Sequence, residues 1–207
     1  ENLAENIGWQ NVFVTSFRKA ENMGFEGLTV AQISDRLGRD PWEVYLDLVV
    51  EEEAKAGILV ASMSTADMEK IVCHPESILA SDGAAQSLRP DRNYGFQHPR
   101  AYGTQTKVLR RFVREKKLLT MEEAVKKMTS MPAELLGMKY RGKIKQGFYA
   151  DVVVFDPETV SDMSTFSDLQ RAPEGIETVI VNGILALKEG DIICKTAGRL
   201  ITKTNTE

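Results

Sequence analysis

A chain of 207 residues can bury one sizeable core or two small ones. Its composition, 43% hydrophobic and 27% charged, is that of an ordinary globular protein, and its net charge of -4 offers no excess of Lys and Arg for a nucleic acid. No apolar run approaches the ~20 residues that cross a bilayer, and no basic-then-apolar leader opens the sequence, so no membrane partner is expected.

In chain order, Val12-Phe13-Val14 within Trp9 to Thr15 reads as a short buried strand, and Ser16 to Gly27 as a loop. Thr29 and Gln32 form a capping box for a helix through Leu37 that Gly38 closes. Asp40-Pro41 opens a second helix, with Val44, Leu48 and Val49 inward and Gly57 at its end. Ile58 to Ala61 reads as a strand. Ser64 caps a helix carrying Met68, Ile71 and Val72, which His74-Pro75 breaks.

The next stretch, Ser77 to Gly83, reads as a buried strand that delivers Asp82 at its carboxyl end, where the crevice of an α/β fold lies. Asp82-Gly83 is equally a common turn dipeptide. A long loop from Ala84 to Gly103 carries His98-Pro99-Arg100 and Tyr102-Gly103-Thr104, and Thr104 is expected to open an amphipathic helix with Val108, Leu109, Phe112 and Val113 inward. The basic face of that helix (Lys107, Arg110, Arg111, Arg114, Lys116, Lys117) lacks interleaved aromatics and reads as a solvated surface. Thr120 and Glu123 make a second capping box, with Ala124, Val125 and Met128 inward, and Pro132 starts a further helical turn ending at Gly137.

From Gly142 the pattern changes. Ala150 to Asp156 holds a strand. Thr178 to Val181, Asn182-Gly183 and Ile184 to Leu187 form a hairpin with a type I′ turn. Alternating strands and helices followed by this hairpin predict an α/β chain: the last units of a parallel (β/α) barrel over residues 1–140, then a small antiparallel β module over 141–207, which the resemblance given below implies is a β-sandwich.

Two cysteines far apart, Cys73 and Cys194, read as reduced packing thiols and point to the cytoplasm. The only histidines are His74 and His98, with no HxH or HExxH, whereas a catalytic zinc usually has three protein ligands. The chain alone therefore lacks the residues of a complete metal site. Asp151 and Asp156, five apart on a strand, point to opposite faces and make no carboxylate couple.

Ser81-Asp82-Gly83 followed by His98-Pro99-Arg100 and Tyr102-Gly103-Thr104 resembles the C-terminal part of the N-acyl-D-amino-acid deacylases (D-aminoacylases) of the amidohydrolase superfamily. Glu122-Glu123-Ala124, Pro132-Ala133, Gly142, Gly147, Ala150-Asp151 and Asn182-Gly183 are similar to positions shared more widely in that superfamily. The resemblance implies a distorted (β/α) barrel that holds zinc, with a β-sandwich beside it, and an activity releasing a D-amino acid from its N-acyl derivative. It implies that Asp82 is the catalytic acid/base, a carboxylate able to shuttle a proton between attacking water and departing amine. Arg100 would clamp the substrate carboxylate through paired hydrogen bonds.

Ser16 would border the substrate pocket, His98 and Tyr102 would order the loop, and Asp82 is the one residue here able to touch the metal. Zinc is expected in a complete enzyme, with none held tightly by this chain alone, which is expected to be inactive and to self-associate through exposed barrel edges. Two other readings remain open. One is a cyclic amidase of the dihydroorotase or hydantoinase type. The other is a non-catalytic binding domain that keeps the scaffold.

Overall fold

The computed structural model describes residues 6–84, 86–89, 98–166 and 168–202. Two compact units make up the chain, Glu1–Asp67 with Arg89–His98, and Met68–Leu88 with Pro99–Glu207. The boundary expected near residue 140 falls inside the second of these.

The first unit is built on strands β1 (Val12–Ser16) and β2 (Gly57–Val60) and helices α1 (Val30–Leu37) and α2 (Pro41–Glu51). Local sequence sets both helices. The Thr29 hydroxyl accepts the Gln32 amide at 3.1 Å while the Gln32 side chain accepts the Thr29 amide at 2.9 Å, and Gly38 ends α1 in the left-handed region. Asp40 accepts the Trp42 amide at 2.8 Å, with Pro41 at the first helical position. Ile33, Val30 and Val44 pack with Val12, Val14, Phe17 and Leu48 into one core.

Here the expected parallel sheet is corrected: β1 and β2 pair antiparallel, Val12 opposite Val60 and Val14 opposite Ile58. A single crossover helix returns a chain parallel. Two helices lie between these strands, and the additional reversal brings β2 back in the opposite sense. Gly57 begins β2 instead of ending the helix, which stops at Glu51 and turns through Glu53 and Ala54, both at positive φ.

Glu52, 2% exposed, fixes the segment after β1. Its carboxylate accepts the Arg18 amide at 2.7 Å, the Lys19 amide at 3.3 Å and the Asn22 side-chain amide at 2.8 Å. Burial pushes this carboxyl up, but the Asn22 side chain and the two backbone amides outweigh it and leave it below the ordinary glutamate value.

Helix α3 (Thr65–Cys73), which belongs to the second unit from Met68 onward, is followed by the stretch read as a buried strand. That reading is corrected. Residues 77–84 form no strand, and Ala80 and Asp82 are exposed. Strands persist by pairing, and no neighbour among the described residues supplies a ladder here. Leu79 alone of this stretch packs on the core, its amide donating to the Lys127 carbonyl at 3.2 Å. Cys73, expected to pack, is also exposed, as is Ile71 on the same helix.

The expected loop from Ala84 to Gly103 lies partly outside the described residues. Within them, helix α4 (Arg100–Lys107) begins four residues earlier than expected, at Arg100 instead of Thr104, and it carries non-helical dihedrals at Gly103. It continues as a π-helix over Val108–Glu115, where the Lys116 amide reaches the Arg111 carbonyl five residues back at 2.9 Å. Val108, Leu109 and Phe112 are buried against Val72, Leu119, Ala124 and Val160.

Helix α5 (Met121–Met128) carries the second capping box as expected, though Val125 faces outward, and α6 (Ser130–Leu135) starts two residues before Pro132. A separate antiparallel sheet runs in the order β3 (Val152–Phe155), β4 (Ile176–Val181), β5 (Ile184–Lys188), β6 (Asp191–Ile192). Asn182 (φ 53) and Gly183 (φ 79) make the expected primed turn. Glu189 (φ 50) and Gly190 (φ 89) make a second one that adds β6. Asp151 and Asp156 stay apart in role. Asp151 accepts the Asn182 amide at 2.8 Å, and Asp156 the Glu158 amide at 2.9 Å.

Candidate active-site acid and its arginine

The two residues singled out most strongly in the sequence meet. Arg100 Nε lies 3.0 Å from Asp82 Oδ1, at the first turn of α4. Both side chains remain open to solvent, Asp82 76% and Arg100 46% exposed. An exposed pair of this kind is worth about 0–1 kcal/mol, so an incoming carboxylate can displace Asp82 from the guanidinium at little cost.

Ser81 and Gly83 flank the acid and tie it to the same turn. The Ser81 hydroxyl donates to the Arg100 carbonyl at 3.1 Å and accepts the Gly83 amide at 2.9 Å. A Cβ on Gly83 would stand 3.0 Å from Ala101 Cα and 3.1 Å from Ala101 N, so any side chain there would force the two backbones apart by a few tenths of an ångström. Farther back, Lys127 is 4% exposed, and its ammonium donates to the His74 carbonyl, to the Ser77 carbonyl at 3.1 Å and to the Ser77 hydroxyl at 2.9 Å. It anchors the segment leading into Asp82.

The remaining candidates are placed differently. Tyr102 is half-buried on α4, its amide donating to the Pro99 carbonyl at 3.0 Å, so it belongs to a helix where a loop was expected. His98 is half-buried just ahead of Pro99, the residue preceding that helix. Ser16 ends β1 opposite Gly57 in the first unit, whereas Asp82 and Arg100 belong to the second.

The basic face read as a solvated surface is largely paired within the protein. Arg110 meets Asp162 at 2.7 Å, and Arg114 donates to the Pro157 and Val160 carbonyls at 2.9 and 2.8 Å. Lys116 and Arg111 both reach Glu69, and the Lys116 ammonium foremost holds that carboxyl below its ordinary range. Sequence reasoning missed Ser81 and Lys127. The Ser-Asp-Gly order carries a turn signal for the first, and no local signal marks the second.

Among the described residues, no three His, Cys, Asp or Glu side chains come together as a metal site. His74 Nδ1 accepts the Glu76 amide at 3.3 Å, and Asp82 rests on Arg100. Zinc sites recruit three or four such donors in a fixed array, so the donors present here do not by themselves fit a resident zinc.

Comparison with known proteins gives this geometry its context. The chain is 41% identical over 152 residues to the N-acyl-D-aspartate deacylase of Alcaligenes xylosoxydans xylosoxydans, a match covering 70% of this chain and 29% of that protein. It is 36% identical over 156 residues to the D-aminoacylase of the same organism, covering 75% of this chain and 31% of that one. The chain thus spans less than a third of these curated relatives.

A crystal structure of D-aminoacylase superposes with a TM-score of 0.77 at 30% identity, over 91% of this chain and 37% of that one. The N-acyl-D-glutamate deacylase of Bordetella bronchiseptica, solved with zinc and a phosphonate mimic of the tetrahedral intermediate, gives 0.74 at 34%, over 91% and 36%. The profile of the amidohydrolase family matches residues 77–185, which include Asp82, Arg100, strands β3 and β4 and the start of β5. The chain belongs to the amidohydrolase family.

Proposed function

We propose that this chain supplies the acid/base and the carboxylate clamp of an N-acyl-D-amino-acid deacylase, a hydrolase of the amide bond that joins an acyl group to a D-amino acid. The observation that carries the reading is the 3.0 Å approach of Arg100 to Asp82, which sets a proton carrier beside a carboxylate receptor. Asp82 takes a proton from the water that attacks the amide carbonyl and delivers it to the departing amine. Arg100 turns its guanidinium from Asp82 to the substrate's α-carboxylate, binding it through two parallel hydrogen bonds. Exchanging one carboxylate for another on Arg100 frees Asp82 when substrate arrives.

A zinc ion such as the Bordetella enzyme holds would need donors beyond those that come together among the described residues, with Asp82 the one described residue able to touch it. The unbridged cysteines, Cys73 and Cys194, accord with a reducing compartment, the cytoplasm. Barrel units over residues 1–140 and a β-sandwich over 141–207 remain our reading of how the chain fits the complete enzyme.

The test is hydrolysis of N-acetyl-D-aspartate, N-acetyl-D-glutamate and their L counterparts by the protein carrying this chain with the rest of its barrel. Turnover of the D compounds is expected, with Asp82→Asn abolishing it and thermal stability unchanged. Arg100→Lys should lose the preference for a free α-carboxylate over its ester, since an ammonium lacks the paired geometry. Near wild-type turnover in Asp82→Asn refutes the assignment. Hydrolysis confined to a cyclic amide such as a hydantoin moves the reading to the cyclic amidases.

A further inference from the structure

We propose that Ser81 is a positioning residue that clasps Asp82 onto the first turn of α4, a role that rests on the deacylase reading above. The problem it solves is physical. In this chain Asp82 is exposed and sits on a stretch that pairs with no strand among the described residues, so the contacts of the turn are what hold it. Proton transfer needs the carboxylate within a fraction of an ångström of its place, and a misplacement of about 1 Å can cost ~100-fold in rate.

One hydroxyl supplies two restraints. As donor it ties the chain before Asp82 to the Arg100 carbonyl at 3.1 Å, and as acceptor it ties the chain after Asp82, the Gly83 amide, at 2.9 Å. The peptide units on both sides of the acid are thereby fixed to one oxygen. The Arg100 side chain then reaches back to Asp82 at 3.0 Å. The same arginine is thus held twice, through its carbonyl by Ser81 and through its guanidinium by Asp82.

The turn that receives these contacts is itself unusual. Gly103 departs from helical dihedrals (φ -143, ψ 20), and the Arg100 carbonyl accepts a second hydroxyl, that of Thr104, at 3.0 Å. Gly83 completes the clasp, because a methyl group there would press on Ala101 Cα and N and on the Ser81 oxygen itself, 2.9 Å away. When substrate draws the guanidinium off Asp82, the Ser81 bonds remain and keep the freed carboxylate in register.

Two measurements test this. The first needs no activity: amide exchange at Gly83 in this chain. Ser81→Ala should speed it about threefold to tenfold, the worth of one ordinary hydrogen bond, and Ser81→Thr should restore it. Unchanged exchange in Ser81→Ala shows that the clasp does not exist. The second uses the protein carrying the rest of the barrel. There Ser81→Ala should lower kcat tenfold or more with KM moved far less, at an unchanged thermal midpoint, and Ser81→Thr should recover most of the rate.

Wild-type kcat in Ser81→Ala overturns the positioning role. So does a loss that follows the thermal midpoint and is not recovered by threonine. If the wild-type protein hydrolyses no N-acyl-D-amino acid, the deacylase reading fails by itself, while Gly83 exchange still decides whether Ser81 holds this turn together.

Discussion

Replacing Lys127 by methionine isolates what a buried ammonium contributes to the approach to Asp82. Methionine keeps most of the stem's volume and apolar contact, so the change removes chiefly the charged head. That head donates to the His74 carbonyl, the Ser77 carbonyl (3.1 Å) and the Ser77 hydroxyl (2.9 Å), and all three acceptors are neutral. A hydrogen bond to a charged group is worth about 1.5–3 kcal/mol net, which for three bonds sets a ceiling well above the real loss. Two effects reduce it. Desolvating the ammonium already costs the native state several kcal/mol, and His74, being exposed, can exchange its lost donor for water.

A net loss of about 2–3 kcal/mol is therefore expected. For a chain of this size that lowers the thermal midpoint by roughly 4–12 °C. Urea unfolding of the chain, with Lys127→Ala as the variant that also removes the stem, measures both contributions. A Lys127→Met loss below ~0.5 kcal/mol, or a gain, would show that the ammonium only recovers its own desolvation and that packing of the stem holds this segment.

Two further outcomes follow from the first unit and the β sheet. Because the folded Glu52 carboxyl lies below its unfolded value, its contribution is fully present above the ordinary glutamate range and is lost as pH falls through that range and below. Urea midpoints between about pH 6 and pH 3 should fall less steeply in Glu52→Gln than in wild type, and equal slopes would remove Glu52 from the acid response. Gly175 (φ 76) and Gly183 (φ 79) share a backbone strain, but a Cβ on Gly175 would stand 2.5 Å from Val160 Cα and N, whereas one on Gly183 meets nothing within 4 Å. Gly183→Ala should cost about 1–2 kcal/mol and Gly175→Ala a further 1–3 kcal/mol, and equal losses would mean that the backbone around Val160 yields freely.

What the sequence showed and what it hid divide by distance along the chain. The Thr29–Gln32 and Thr120–Glu123 boxes, the Asp40-Pro41 start and the Asn182-Gly183 turn are legible because each is satisfied within four residues. The segment before Asp82 is apolar enough for a strand, but a strand is a property of its neighbours, and none among the described residues pairs with it. The sense of β1 against β2 depended on counting helices between them as reversals. At α4 the signal was present and outweighed: Pro99 suits a helix start, while Gly103 and the preceding polar stretch suggested a loop. Asp82 and Arg100 were found by residue type and motif. Their meeting, the Ser81 clasp and the Lys127 anchor depend on contacts across 18 to 53 positions, which no local pattern encodes.

The two primed turns also order events in time. β4, β5 and β6 are joined by connections of minimal length, so each pairing closes at almost no chain-entropy cost and on the microsecond scale of isolated hairpins. β3 reaches β4 only after the whole stretch from Asp156 to Gly175 has been gathered in. The meander is therefore expected to form first, as the template on which Val152 to Phe155 docks. In stopped-flow refolding and unfolding, trimming Val179 or Leu187, which face each other across β4 and β5, is expected to slow folding, and trimming Val152 chiefly to hasten unfolding.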